Sequence, residues 1–155
     1  MQVEAWDAAY RGLIPDEVID ARTVERRTSQ WSSAIVDPRS VTFVACDSEG
    51  NVQGFASAQV LDELESGFQS YLQTLYVRPQ FWRKGIGHQL LRAVCSHLSA
   101  LGVRNLVLRT MRLGDARKFY DRLGARLVPE GIARESGKFD DVVYAFDDVA
   151  SDRHP

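Results

Sequence analysis

Apolar residues in this chain recur in two rhythms, one of three and four residues and one of two, and the switches between them mark out its elements. Val3, Trp6 and Tyr10 share one side of a helix predicted over residues 2 to 12, which Gly12 and Pro15 bring to an end. A second helix is predicted from Thr23, a residue suited to the N-cap, to Ala34, with Trp31 facing inward and Asp37-Pro38 closing the region. Leu90, Leu91, Val94, Leu98 and Leu101 form one face of a helix over 88 to 101, stopped by Gly102. Ala116, Phe119, Tyr120 and Leu123 repeat at i, i+3, i+4 and i+7 before Gly124, giving a further helix.

Between these lie runs of β-branched, aromatic and small residues. Val41 to Cys46 and Val52 to Val60 flank the turn-rich Asp47-Ser48-Glu49-Gly50-Asn51, which reads as a hairpin. Leu61 to Gly67 reads as an acidic, irregular stretch. Tyr71 to Val77 resumes a strand that ends at Arg78-Pro79, where proline removes a ladder donor. Val103 to Arg109 and Val142 to Phe146 supply the last strands. The hairpin requires antiparallel neighbours, whereas strand, loop, helix and strand from residue 71 onward require a parallel crossover, so the expected class is α/β (α+β) with a mixed sheet.

The chain has 155 residues, 45% of them hydrophobic, enough to bury one core. A single domain over residues 1–149 with a loose tail at 150–155 is expected. Lys plus Arg number 19 against 21 Asp plus Glu, so there is no basic field to hold a nucleic-acid backbone. The apolar runs are far shorter than the roughly 20 residues that span a bilayer, and no leader-like segment opens the chain. The expectation is a cytoplasmic protein with neither a nucleic-acid nor a membrane partner. Cys46 and Cys95 lack neighbouring ligands at metal spacing and read as small core residues.

The chemistry starts after Val77. A strand end, a turn containing Gly85 and Gly87, and a helix starting near Gly87 aim free backbone N–H groups at one point, where an anion fits. The glycines keep Cβ atoms out of the way, and Arg83 and Lys84 add positive charge beside the helix dipole. Neither the lysine–hydroxyl pair of a P-loop nor the third glycine of a dinucleotide site is present. Taken alone, the same glycines could also serve only to shape a tight strand-to-helix connection.

Leu75-Tyr76-Val77-Arg78-Pro79, running into Arg83-Lys84-Gly85-Ile86-Gly87-His88-Gln89-Leu90-Leu91, resembles the acetyl-CoA signature of the GNAT superfamily of N-acetyltransferases. Ala5 to Asp16 resembles the first helix and turn of one branch of that superfamily, and Ala116 to Ala125 its late cofactor-side helix. The resemblance implies a central mixed, mostly antiparallel, twisted sheet flanked by helices, here without the strand that usually precedes the first helix. It also implies direct attack of a primary amine on acetyl-CoA, with no metal. Trp82 stands where the signature has glutamine or arginine, and Leu113 where many members carry an asparagine that reaches the pantetheine arm.

By that resemblance Leu75, Tyr76, Val77, Trp82, Arg83, Lys84, Gly85, Ile86, Gly87, His88 and Phe119 would hold the cofactor, the strand through its backbone groups and His88 as a neutral contact. Tyr120 matches the general acid that protonates the departing thiolate. Its reference pKa near 10 lies above that of a thiol near 8.5, so full transfer is uphill by roughly 2 kcal/mol. Read from its position on an apolar stripe alone, Tyr120 would be a core aromatic. Asp62, Glu63 and Glu65 read as a solvated acidic turn, and Gln73 cannot act as a base. No serine-nucleophile turn supports a hydrolase. A non-catalytic CoA-binding module is the alternative reading; the amine acceptor stays unspecified, and a homodimer stays open.

Overall fold

The computed structural model describes residues 1–65, 67–129 and 140–150. Helices α1 (Gln2–Tyr10), α2 (Asp16–Asp20) and α3 (Val24–Ala34) precede strands β1 (Ser40–Cys46), β2 (Val52–Glu65) and β3 (Phe68–Val77). Then come α4 (Ile86–Ala100), β4 (Leu106–Met111), α5 (Ala116–Arg122), β5 (Arg126–Leu127) and β6 (Asp141–Phe146). The six strands form one sheet in the order β1-β2-β3-β4-β6-β5. Every pairing is antiparallel except β3 with β4.

Thr23 caps α3 by accepting from the Arg26 amide at 3.4 Å. Trp31 of α3 meets Phe55 of β2 edge-on at 5.2 Å and donates its indole N–H to Gln2 of α1 at 2.7 Å, which ties two helices to one sheet face. On the other face, α4 buries Leu90, Leu91, Val94, Cys95 and Leu98. They pack with Ala56 and Ala58 of β2, whose small side chains let the helix approach. Each of those leucines contributes about 1.5–3 kcal/mol of burial.

Several expectations are corrected. Leu101, expected on the buried face of α4, is 60% exposed, because the helix ends at Ala100 and the left-handed Gly102 turns the chain away. Leu61 to Glu65 continues β2 instead of forming an irregular turn, and Glu65 pairs with Phe68. The side chains of Asp62, Glu63 and Glu65 lie outside the described residues, as does the tail beyond Ala150. Cys46, expected in the core, is exposed at the end of the outermost strand β1. Cys95 is buried, and burial pushes its thiol up to about 12. The two-residue β5 and the short α2 carry too little periodicity to be read from sequence.

The feature that positions the site is a split in the sheet. The pairing of β3 with β4 comprises Tyr71 with Val107 and Leu72 with Leu108, and then stops. The closed end is riveted by side chains. Asn105 accepts from the Gln69 amide at 2.8 Å and donates to the Gly67 carbonyl at 3.0 Å, while Gln69 accepts from the Arg104 amide at 2.7 Å. Beyond Leu72 the two strands separate. On the β2 side Ser57 pairs with Thr74 and Ala58 with Leu72, so Gln73 is an extra, bulged residue at the point where the split opens.

Candidate active site

Past the split, β3 ends at Val77 and a short 3₁₀ turn, Pro79–Phe81, carries the chain toward α4. Two backbone conformations bend the loop. Arg83 has φ of 60° and Gly85 φ of 80°, both left-handed, with a cost near 1 kcal/mol or more for the arginine. The first helical bond runs from the Gln89 amide to the Gly85 carbonyl at 3.0 Å. The amides of residues 83 to 88 therefore precede the helical ladder, and none has an acceptor among the described residues. Alternating left- and right-handed residues ahead of a helix form a concave run of donors, the geometry that holds a phosphate.

Gly87 is not demanded by crowding within the protein. A Cβ there would lie 3.5 Å from Phe119 Cζ and 3.6 Å from Leu75 Cδ2, which is ordinary contact. Phe119 thus sits beside the start of α4 and links it to α5. Where these two helix starts adjoin, Lys118 bonds Asp115 at 2.8 Å and, with Arg83 and Arg122, holds its carboxyl below the usual range. Lys84 Nζ lies 5.2 Å from the Phe81 ring. The rim of the loop is consequently cationic.

Tyr120 is buried, 5.1 Å from Phe119 and 6.3 Å from Tyr144, ring to ring. Helix α5 is pinned beneath it: the Tyr144 hydroxyl donates to Asp121 at 2.6 Å and accepts from Arg117 at 2.9 Å. The Tyr120 hydroxyl has no hydrogen-bond partner among the described residues. Burial raises it above the ordinary phenol range, and the Tyr10 and Tyr71 phenols add to the rise. Tyr76 is also raised by burial, with Tyr10, Tyr120 and Tyr71 acting on it. The Tyr10 phenol of α1 and the Tyr71 phenol of β3 thus act on both Tyr76 and Tyr120.

Thr74 Oγ1, His88 Nε2 and Thr110 Oγ1 are buried without a hydrogen-bond partner among the described residues. Such orphaned groups cost about 1–3 kcal/mol each unless something fills the site. Together with the free amides, they fit a long polar ligand lying along the split from the α4 loop, as CoA would. No cluster of three or more metal-ligating side chains occurs among the described residues.

The opposite face, under α1 and α3, is aromatic. Tyr76 packs against Phe55 at 5.9 Å and Trp6 at 6.4 Å, Trp6 meets Tyr10 at a tilt with centroids 4.3 Å apart, and Arg22 covers Trp6 at 3.3 Å. Gln73 accepts from the Ser57 hydroxyl at 3.2 Å and donates to Gln59 at 3.2 Å, and Gln59 donates to Asp37 at 2.8 Å. The bulge is thereby tied by side chains to Asp37, on the segment that precedes β1. Arg109 and Asp141 both act on the Tyr71 phenol, and a small pocket lined by Leu13, Ile14, Pro15, Met111, Leu113 and Asp140 opens near the end of β4.

The structure places the sequence-predicted residues in three groups. Arg83, Lys84, Gly85, Ile86, Gly87 and His88 form the amide run, with Phe119 against it. Leu75, Tyr76 and Val77 lie on the freed stretch of β3, but the Tyr76 side chain turns to the aromatic face and its backbone is in the ladder with Phe55 of β2. Trp82 is 44% exposed and gives its indole N–H to the Val77 carbonyl at 2.7 Å, bracing the loop on the strand. Sequence reasoning placed Thr74 on the cofactor strand and missed Tyr10, Tyr71, Thr110 and Arg109. Strand alternation places Tyr71, but nothing local announces that β4 leaves β3 two pairs along.

The family model described as the acetyltransferase (GNAT) family matches residues 4–125. Among curated proteins, the chain is 24% identical over 130 residues to the "Uncharacterized N-acetyltransferase YuaI" of Bacillus subtilis (strain 168), covering 84% of this chain and 73% of that protein. It is 28% identical over 106 residues to aminoglycoside N(6')-acetyltransferase type 1 of Stenotrophomonas maltophilia, covering 66% and 65% respectively. Among solved structures, the PaiA N-acetyltransferase of Thermoplasma acidophilum in complex with coenzyme A superposes with a TM-score of 0.73 at 18% identity, over 94% of this chain and 87% of that one. At that identity the likeness shows the shared fold. With the family model spanning most of the chain, the protein belongs to the GNAT acetyltransferase family and is an acetyl-CoA-dependent N-acetyltransferase.

Proposed function

We propose that the amides of residues 83 to 88 bind the pyrophosphate of acetyl-CoA, and that the enzyme passes the acetyl group to a primary amine approaching from the α1–α3 face. The observation that carries this reading is the unpaired amide run, which leads directly into the freed edge of β3. Acetyl-CoA supplies the activated acyl group. Residues 1–149 act as one unit in this reading, in the cytoplasm, on a small-molecule or protein amine and without nucleic acid or membrane.

The protein's part is to bind, orient and manage one proton. The backbone groups of Leu75 and the Val77 amide lie on the stretch of β3 that β4 has left and face away from β2, so they are free for the pantetheine amides, while Tyr76 is in the ladder with Phe55. In this reading a backbone N–H near the Gln73 bulge serves as donor to the thioester oxygen. Arg83, Lys84, Lys118 and Arg122 surround the phosphate end with positive charge, while Trp82 holds the loop in place instead of touching the ligand. Ile86 and Phe119 supply its apolar support.

In this reading Tyr120 holds the proton that the sulfur needs on departure. Its raised pKa keeps it protonated at neutral pH but widens the gap to a thiol, so it acts chiefly as a hydrogen-bond donor. Gln73 is committed to Ser57 and Gln59 and takes no proton from the amine.

Thiol release from acetyl-CoA against a panel of primary amines, with the native protein and Tyr120→Phe, tests this reading. At least one amine should release thiol, and the variant should do so far more slowly. Equal rates would remove Tyr120 from the role. No thiol release with any of the amines would support a CoA-binding module.

A further inference from the structure

Among the described residues the buried polar side chains are those of Ser57, Ser70 and Thr110. The two serines are hydrogen-bonded: Ser57 donates to Gln73 and accepts from Thr42, and Ser70 donates to the Asn105 carbonyl at 2.7 Å. Thr110, on β4, differs. It is 5% exposed, and its hydroxyl has no hydrogen-bond partner among the described residues. Its main chain is committed to β6. The Arg112 amide donates to the Asp140 carbonyl at 2.9 Å, which makes those two a hydrogen-bonded pair of the antiparallel ladder, and Thr110 with Val142 forms the next such pair inward. Only the hydroxyl is left over.

Strand alternation says where that hydroxyl lies. Leu106 and Leu108 of β4, with Phe146, Tyr144 and Val142 opposite on β6, belong to the core cluster that α4 covers, and Thr110 shares their parity. It therefore stands on the α4 and α5 side of the sheet, the side of Tyr120. Thr110 comes two residues after Leu108, the last of β4 to pair with β3, so it is roughly 7 Å into the split. Leu75 of β3 belongs to the same cluster, and Leu75 and Phe119 approach each other over Gly87 at the start of α4. On this side the split is bordered by Leu75, Gly87, Phe119 and Tyr120, with the Thr110 hydroxyl on its β4 wall.

We infer, resting on the proposed role of residues 83 to 88, that the Thr110 hydroxyl binds the pantetheine arm of acetyl-CoA as the hydrogen-bond partner of one of its amides. An amide entering so apolar a stretch gives up its water and needs a replacement. A threonine hydroxyl can donate or accept, and the one on Thr110 lacks a partner of its own. Each group satisfies the other. The arm is then held from both strands, by the backbone of β3 and by a side chain of β4.

The test is calorimetry of the native protein, Thr110→Val and Thr110→Ser with two probes, coenzyme A and ADP, which carries a pyrophosphate without the arm, beside thermal melts of the unliganded proteins. Affinity for coenzyme A should fall about five- to tenfold in Thr110→Val and stay within about twofold of native in Thr110→Ser. Affinity for ADP should be the same in all three. Unliganded Thr110→Val should melt at or above the native temperature, by up to about 4 °C, because a methyl of the same shape replaces an unpaired hydroxyl and no bond is lost. A threonine that served only the fold would lower stability when replaced. Equal affinity of native protein and Thr110→Val for coenzyme A overturns the inference alone, and so does an equal loss in Thr110→Ser, an equal loss for ADP, or a melt of Thr110→Val several degrees below native. A native protein that binds no coenzyme A overturns it together with the role of the amide run.

Discussion

The indole N–H of Trp82 donates to the carbonyl of Val77 at 2.7 Å, joining the loop that carries the free amides to the last residue of the strand that opens the sheet. Neither glutamine nor arginine is needed at position 82 for that purpose. The bond fixes where the amide run starts relative to β3. Trp82→Phe keeps the ring and removes the donor, with an expected cost of about 1 kcal/mol and a roughly fivefold rise in KM for acetyl-CoA. Steady-state kinetics at saturating acceptor should show kcat nearly unchanged.

The two glycines of the loop should respond differently to alanine. Gly85 has open space where a Cβ would go but a φ of 80°, so Gly85→Ala should lose about 1 kcal/mol of stability and weaken cofactor binding several-fold. Gly87 lies in the first turn of α4 at ordinary φ with room for a methyl against Phe119 and Leu75. Gly87→Ala should be neutral or stabilising by up to about 0.5 kcal/mol. Urea titrations of the pair separate backbone strain from ligand contact.

Much of this was legible in the residues themselves. The α4 stripe, the hairpin and the Gly85–Gly87 turn are local patterns, and each appears where periodicity and turn chemistry place it. The split between β3 and β4 is not local: it depends on where two strands from distant parts of the chain stop pairing, and no residue near Leu72 or Leu108 encodes that by itself. The bulge at Gln73 is equally hidden, because its hydrogen bonds to Ser57 and Gln59 depend on register. Cys46 and Leu101 misled because their patterns continue past the point where the element has something to pack against.

Removing the Tyr120 hydroxyl should affect the chemical step and leave binding nearly intact. Tyr120→Phe is expected to lower kcat by roughly 10²–10⁴ with little change in KM for acetyl-CoA, the range for loss of a positioned proton donor. Tyr144→Phe is a control for helix position. It breaks the Tyr144–Asp121 bond and should cost about 1 kcal/mol of stability with a much smaller loss of kcat.

The buried thiol predicts behaviour in alkali. Burial pushes the Cys95 thiol up from 9.0 to about 12, so between those values the unfolded chain loses the thiol proton while the folded chain keeps it. Its contribution to stability is complete below pH 9 and is lost as pH rises toward 12, by at most about 1.4 kcal/mol per pH unit. Chemical denaturation across that window should show the decline, with a shallower slope in Cys95→Ala. In the native protein at pH 8, a thiol reagent should label Cys46 and leave Cys95 untouched.

Gln73→Leu keeps the bulk and removes both side-chain hydrogen bonds at the bulge. It should lower kcat about tenfold while KM for acetyl-CoA stays within twofold, since the phosphate loop is untouched. Gln59→Leu should act in the same direction, and the two losses should combine to less than their sum.

Backbone amide chemical shifts recorded while coenzyme A is titrated into the protein test the central assignment most directly. The largest changes should fall on Arg83, Lys84, Gly85, Ile86, Gly87 and His88, and pantetheine, which lacks the pyrophosphate, should leave those amides unmoved. Binding of coenzyme A that perturbs other residues and spares these six, or no binding at all, would contradict it.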